Sequence, residues 1–216
     1  MKKLEAVIFD IDGTLTSTNE LIFSTFNHVS NKYLDKTLSE REIVSYFGPP
    51  EDVILKELFT DNHELVINDY YEFYESNHKK MADLFPGMKE IILFLHKNKI
   101  PLGIFTGKGR KSALITLQQC SVENYFDIII TGDDVENHKP APDGLEIIVD
   151  FLKVDKENTI LVGDAPGDIK AARSAGIKIG SVIWDSYDKE KVISMESDYL
   201  FENVKDLEEF FYSTLS

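Results

Sequence analysis

Four apolar runs in this chain each end in residues able to do chemistry. "LEAVIFD" ends in Asp10, with Asp12, Gly13 and Thr14 following in "FDIDGTLT". "IPLGIFT" ends in Thr106, followed by Gly107 and Lys108. "FDIIITG" leads into "DDVENHKPAPD", which carries Lys139, and "TILVGD" ends in Asp164, with Asp168 four positions on. Asp10, Asp12, Asp164 and Asp168 gathered in one place would repel one another strongly at neutral pH, so such a group needs a cation. Their donors are all oxygens, which favours Mg²⁺ over a soft metal. Gly13 permits a tight turn whose backbone amides can face an anion. Thr106 adds a hydroxyl donor and Lys139 a compact positive charge. Together these residues describe a phosphate seat beside a magnesium seat.

The spacing suits separate roles. Asp10 and Asp12 stand at i and i+2 where a strand runs out, so both carboxylates can enter one cavity. Asp164 and Asp168 stand at i and i+4, the second in the first turn of a helix expected to begin near Pro166, where a carboxylate is also mildly stabilising.

Bringing these residues together requires a parallel sheet. The apolar runs are short and rich in Val, Ile and Phe, as buried strands are. After "FPG" at 85–87 they alternate with helical stretches such as "MKEIILFLHKNK", "KGRKSALITLQQCSV", "PDGLEIIVDFLKV" and "APGDIKAARSAG", the last ended by Gly176. That alternation predicts an α/β protein with a Rossmann-like, three-layer parallel sheet, whose ligands bind beyond the carboxyl ends of the strands. Between the first strand and "FPG" lie roughly 65 residues of mainly helical pattern, too long for a structureless loop. The expected division is a core of residues 1–16 and 85–216 and an inserted all-helical cap of residues 17–84.

Bulk properties narrow the partners. The chain has 216 residues, 43% hydrophobic and 28% charged, enough for one good core with a smaller second unit. A net charge of −15 argues against nucleic acid and anionic membranes. It leaves room for a small phosphorylated molecule, because a bound cation and a few lysines can reverse the field in one pocket. The single cysteine, Cys120, excludes an internal disulfide and suits a reducing compartment. "MKKLEAVIFD" lacks the apolar length of a signal peptide, and a cytoplasmic location is expected, as a monomer or weak homodimer.

The motifs resemble those of the haloacid dehalogenase superfamily of phosphatases with a helical cap, most of all its phosphoglycolate phosphatase and bacterial pyrophosphatase branch. "DIDGTLT" is similar to that family's DxDGT motif, "FTGK" to its strand-end threonine motif, "HKPAPD" to its lysine motif and "VGDAPGDI" to its GDxxxD form. The resemblance spans essentially the full chain. It implies that Asp10 is a nucleophile forming an aspartyl-phosphate, that Asp12 is the general acid/base and offers its backbone carbonyl to Mg²⁺, and that Thr14 braces the Asp12 loop near the phosphate. It further implies that Thr106 and Gly107 bind phosphoryl oxygens, that Lys139 neutralises charge, and that Asp164 ligates the metal. Asp168 either ligates it too or orients its water and Lys139.

Many members carry a carboxylate soon after "GTL"; here Thr16, Ser17 and Thr18 occupy that hinge. "YFGPPEDV" resembles the branch's substrate-facing turn, with Gly48 allowing close approach and the helix start at Glu51 offering free amides. Lys108 and Arg110 either reach the cap or substrate or mark a solvated helix start. Tyr46, Tyr70, Tyr71 and Tyr74 are expected in cap packing. His28, His63, His78 and His96 are expected at the surface or cap edge. The activity implied is Mg²⁺-dependent hydrolysis of a small phosphorylated metabolite such as phosphoglycolate. Inorganic pyrophosphate, sugar or nucleotide phosphates, a sugar phosphomutase and, remotely, a non-catalytic phosphate-binding protein are the alternatives.

Overall fold

The computed structural model describes residues 3–215. The chain runs β1 (Ala6–Phe9), α1 (Asn19–Leu34), α2 (Glu40–Ser45), α3 (Glu51–Leu58), α4 (His63–Met81), α5 (Met88–Lys97), β2 (Leu102–Phe105) and α6 (Arg110–Gln119). It continues with β3 (Ile128–Ile130), α7 (Asp143–Leu152), β4 (Thr159–Gly163), α8 (Pro166–Ala175), β5 (Lys178–Val182), α9 (Lys189–Ser194), β6 (Tyr199–Phe201) and α10 (Val204–Leu215). The six strands form one parallel sheet in the order β3-β2-β1-β4-β5-β6.

The α/β expectation holds. β1 lies between β2 and β4, so Asp10, Thr106 and Asp164 each follow one of three adjacent strands. These three central strands are buried on both faces, which explains their unbroken apolar character. Val7 and Phe9 belong to one core cluster, with Ile91, Leu95, Leu117 and Phe211, whereas Ile8 joins Phe105, Leu145, Ile148 and Ile169 in the other. That split follows from the two-residue period of a strand.

The helical cap is built from α1 to α4 and has its own core, in which Leu21, Phe26, Val29, Tyr70 and Tyr74 are almost wholly buried. Helix α1 spans Asn19–Leu34, the stretch its apolar spacing predicts. Ser39 caps α2, and Glu42 completes a reciprocal capping box. The chain enters and leaves the cap side by side: Ser17 N–H donates to Asp83 C=O at 2.9 Å and Phe85 N–H to Leu15 C=O at 3.0 Å. Among the described residues no helix is long and apolar enough to cross a membrane.

Candidate active site

The carboxyl ends of the sheet and the facing cap enclose a cavity of about 370 Å³. Asp10, Asp12, Thr106, Gly107, Lys108, Lys139, Asp164 and Asp168 all line it from the core, and Gly48 lines it from the cap. Asp10, Asp164 and Asp168 are buried and offer oxygens that lie within 4.8 Å of one another. Lys139 Nζ donates to Asp10 Oδ1 at 2.9 Å and to Asp168 Oδ1 at 2.6 Å. Asp168 is further fixed by Ala165 N–H, which donates to its Oδ2 at 3.0 Å.

One ammonium does not balance three buried carboxylates. Burial pushes the Asp10 carboxyl up to about 6, with Lys139 pulling it down and Asp168 and Asp12 pushing it further up. Asp164 is driven well above the carboxylate range by burial and then by Asp10 and Asp168. Burial disfavours the Lys139 charge, but Asp10 and Asp168 outweigh it and hold that ammonium above its usual range. The excess negative charge, and a donor set made only of oxygens, fit a hard divalent cation of the Mg²⁺ type.

Asp12 is held differently. Thr18 Oγ1 donates to its Oδ1 at 2.5 Å, and Lys108 Nζ lies 3.3 Å from its Oδ2. The two carboxylates of "DID" therefore have separate partners. Gly13, at φ +73°, makes the turn between them and the rest of the loop; a Cβ there would fall 2.5 Å from Asp164 Oδ2, so only glycine fits.

Other expected residues fall elsewhere. Thr14 is fully buried and does not line the cavity; its hydroxyl donates to Asp164 Oδ1 at 3.2 Å. It braces a carboxylate across the sheet rather than its own loop. Thr106 Oγ1 accepts from Lys108 N–H at 3.3 Å. Lys108 reaches the cap, whereas Arg110 turns to Asp134 and to Ile129 C=O. The helix start at Glu51 contributes its carboxylate: it accepts from Gly109 N–H and Ser112 Oγ, both at 2.6 Å. His78, expected at the surface or cap edge, is fully buried where cap helix α4 packs on α6, its Nε2 3.2 Å from Thr116 Oγ1. The tyrosines at 70, 71 and 74 are cap packing, and all three are buried.

Two contributors escaped sequence reasoning. Thr18 was legible only as part of an unusual hinge, and nothing in the spacing assigned it to Asp12. Tyr187, which follows β5, lines the outer cavity with its ring 5.6 Å from that of Phe47.

A family model described as haloacid dehalogenase-like hydrolase matches residues 7–182. The chain belongs to that family. It is an enzyme of the phosphatase kind, with the helical cap and parallel core described above. Among its relatives, pyrophosphatase PpaX from Halalkalibacterium halodurans is 33% identical over 205 residues, covering 95% of each chain. Pyrophosphatase PpaX from Anoxybacillus flavithermus is 30% identical, covering 94% of this chain and 95% of that one. Among solved structures, a predicted phosphoglycolate phosphatase from Haemophilus somnus superposes with a TM-score of 0.86 at 20% identity, over 98% of this chain and 99% of that one. CbbY from Rhodobacter sphaeroides in complex with phosphate gives 0.83 at 22% identity, over 94% and 96%. Both of these structures are similar to this haloacid dehalogenase-like hydrolase in fold.

Proposed function

We propose that this protein is a Mg²⁺-dependent phosphomonoester hydrolase that works on a small phosphorylated metabolite through an aspartyl-phosphate on Asp10. The observation that carries this reading is the division of partners between the two "DID" carboxylates. Asp10 faces Lys139 and the carboxylate cluster, and Asp12 faces Thr18 and Lys108.

In this reading residues 17–84 act as the cap over a core of residues 1–16 and 85–216. Asp10, Asp164 and Asp168, with the backbone carbonyl of Asp12, hold the ion. When bound, Mg²⁺ neutralises the carboxylates and withdraws charge from the phosphoryl oxygens. Lys139 keeps Asp10 ionised and meets the phosphoryl charge. Thr106 and the Gly107 amide orient the remaining phosphoryl oxygens. Asp10 Oδ attacks phosphorus as the bridging P–O bond breaks, and Asp12 gives its proton to the departing oxygen. Asp12, now a carboxylate, takes a proton from the water that attacks the acyl-phosphate, which returns Asp10 and releases orthophosphate. The cap excludes bulk water during these steps.

A second reading, hydrolysis of inorganic pyrophosphate, is favoured by the names of relatives that match nearly the whole chain. A phosphate-release screen over monoesters and pyrophosphate, with and without Mg²⁺, tests the proposal. Mg²⁺-dependent release that disappears in Asp10→Asn supports it. Undiminished release by Asp10→Asn contradicts it.

A further inference from the structure

The cap side of the cavity holds a charge arrangement that phosphoryl transfer alone does not require. Glu51, in the first turn of α3, is buried and reaches across to the core. Besides accepting from Gly109 N–H and Ser112 Oγ, its Oε1 lies 3.5 Å from Lys108 Nζ. The Lys108 side chain is only 2% exposed; its ammonium sits 3.3 Å from Asp12 Oδ2 and 4.8 Å from the centre of the Tyr74 ring. The lysine nearest the acid/base carboxylate is thus neutralised on two sides before any substrate arrives.

Much of the wall beyond Asp12 is apolar; of its polar members, Asn19 gives its amide to Asp185, and Asp188 is itself acidic. Ile22, Phe26, Phe47, Ile54 and Tyr187 face the cavity. Two further lysines line it, Lys170 and Lys191, but both are exposed, and Lys191 already lies 3.5 Å from Asp188. An anionic leaving group would enter a chamber whose inner cation is taken and whose inner wall is largely apolar, at a desolvation cost. An uncharged carbon skeleton would lose nothing there and would cover the apolar walls.

We infer that Glu51 determines specificity: by masking Lys108 it makes the site select phosphate monoesters with a compact, uncharged, apolar organic group, and reject a second anion such as the other half of pyrophosphate or the carboxylate of phosphoglycolate. This rests on the monoester-hydrolase reading above and narrows it. Discrimination of this kind works by leaving the wrong ligand's charge unpaired.

Glu51→Gln tests the inference, because the amide keeps an oxygen for Gly109 N–H while removing the charge that masks Lys108. We compare kcat/KM for propyl phosphate, phosphoglycolate and pyrophosphate in Mg²⁺. The wild-type protein favours propyl phosphate over both anions by about ten-fold or more, and Glu51→Gln shrinks that ratio by about ten-fold, chiefly through a lower KM for the anions. A wild-type preference for either anion, or an unchanged ratio in Glu51→Gln, overturns the inference. A second measurement needs neither the variant nor turnover: calorimetric binding of butylphosphonate against phosphonopropionate to the wild-type protein. Tighter binding of butylphosphonate supports the assignment, and equal or tighter binding of phosphonopropionate overturns it. Absence of turnover on all three compounds would count against the hydrolase reading, while the calorimetric comparison would still decide the selectivity.

Discussion

Thr18 Oγ1 donates to Asp12 Oδ1 at 2.5 Å, and that single bond joins the hinge of the cap to the proposed acid/base. Thr18 is fully buried, immediately precedes α1, and shares a contact of 3.2 Å with Thr16 Oγ1. Any movement of the cap about this hinge therefore acts on the orientation of Asp12.

Thr18→Val keeps the volume and removes the donor. Because Asp12 is proposed to act in the chemical step, kcat should fall by about ten-fold, a cost of about 1.4 kcal/mol, with KM changed far less. Steady-state kinetics on the best substrate from the screen check this. An equal rise in KM with kcat intact would assign Thr18 to substrate binding instead.

Lys139→Met removes the ammonium between Asp10 and Asp168. Breaking a buried ion cluster leaves uncompensated charge, with a cost of about 3 kcal/mol. Urea unfolding of the metal-free protein at neutral pH should show a loss of that order, together with loss of phosphate release. Unchanged stability would mean that the cluster is already neutralised by protons.

Asp164→Asn removes one ionisable carboxyl from the cluster. The metal-free variant should be at least as stable as the wild-type protein, because the repulsion within the group is relieved. Wild-type stability should rise with Mg²⁺, by about 2.7 kcal/mol at a hundred times the dissociation constant, and the variant should lose most of that rise. Thermal melts with and without Mg²⁺ provide the comparison; an undiminished rise in Asp164→Asn would remove Asp164 from the metal site.

The neutral form of His78 is favoured by burial and then by Lys108, which together hold its imidazole below the usual range against the opposing pull of Asp12 and Asp83. Its Nδ1 is buried without a hydrogen-bond partner. The unfolded chain takes up this proton near pH ~6.5, before the folded protein does. The stability due to the neutral ring is therefore present above that pH and lost as pH falls below it. His78→Gln should lose less stability than the wild-type protein between neutral and mildly acidic pH, as read from urea midpoints; parallel losses would contradict this.

How much of this was legible in the sequence depends on the range of each interaction. The placing of Asp10, Thr106 and Asp164 could be read because a parallel sheet brings strand ends to one side whatever the strand order. Helix α1 and the Ser39 cap could be read because their signals are local. Thr14 bonding to Asp164 spans 150 positions, and Glu51 bonding to Ser112 spans 61. No spacing rule reaches that far, so Glu51 was read only as a helix start offering free amides, and its carboxylate went unassigned. The burial of His78 is illegible for the same reason: only the packing of α4 on α6 covers that ring.

The central claim is that Asp10 itself carries the phosphoryl group. Acid-quenching a reaction in Mg²⁺ and mapping phosphoryl groups onto peptides tests it most directly. The expected result is a phosphoryl group on the peptide containing Asp10, increased in Asp12→Asn, where hydrolysis of the acyl-phosphate lacks its base, and absent in Asp10→Asn together with phosphate release. Full-rate phosphate release by Asp10→Asn, with no phosphorylated peptide at any stage of the wild-type reaction, would contradict the account.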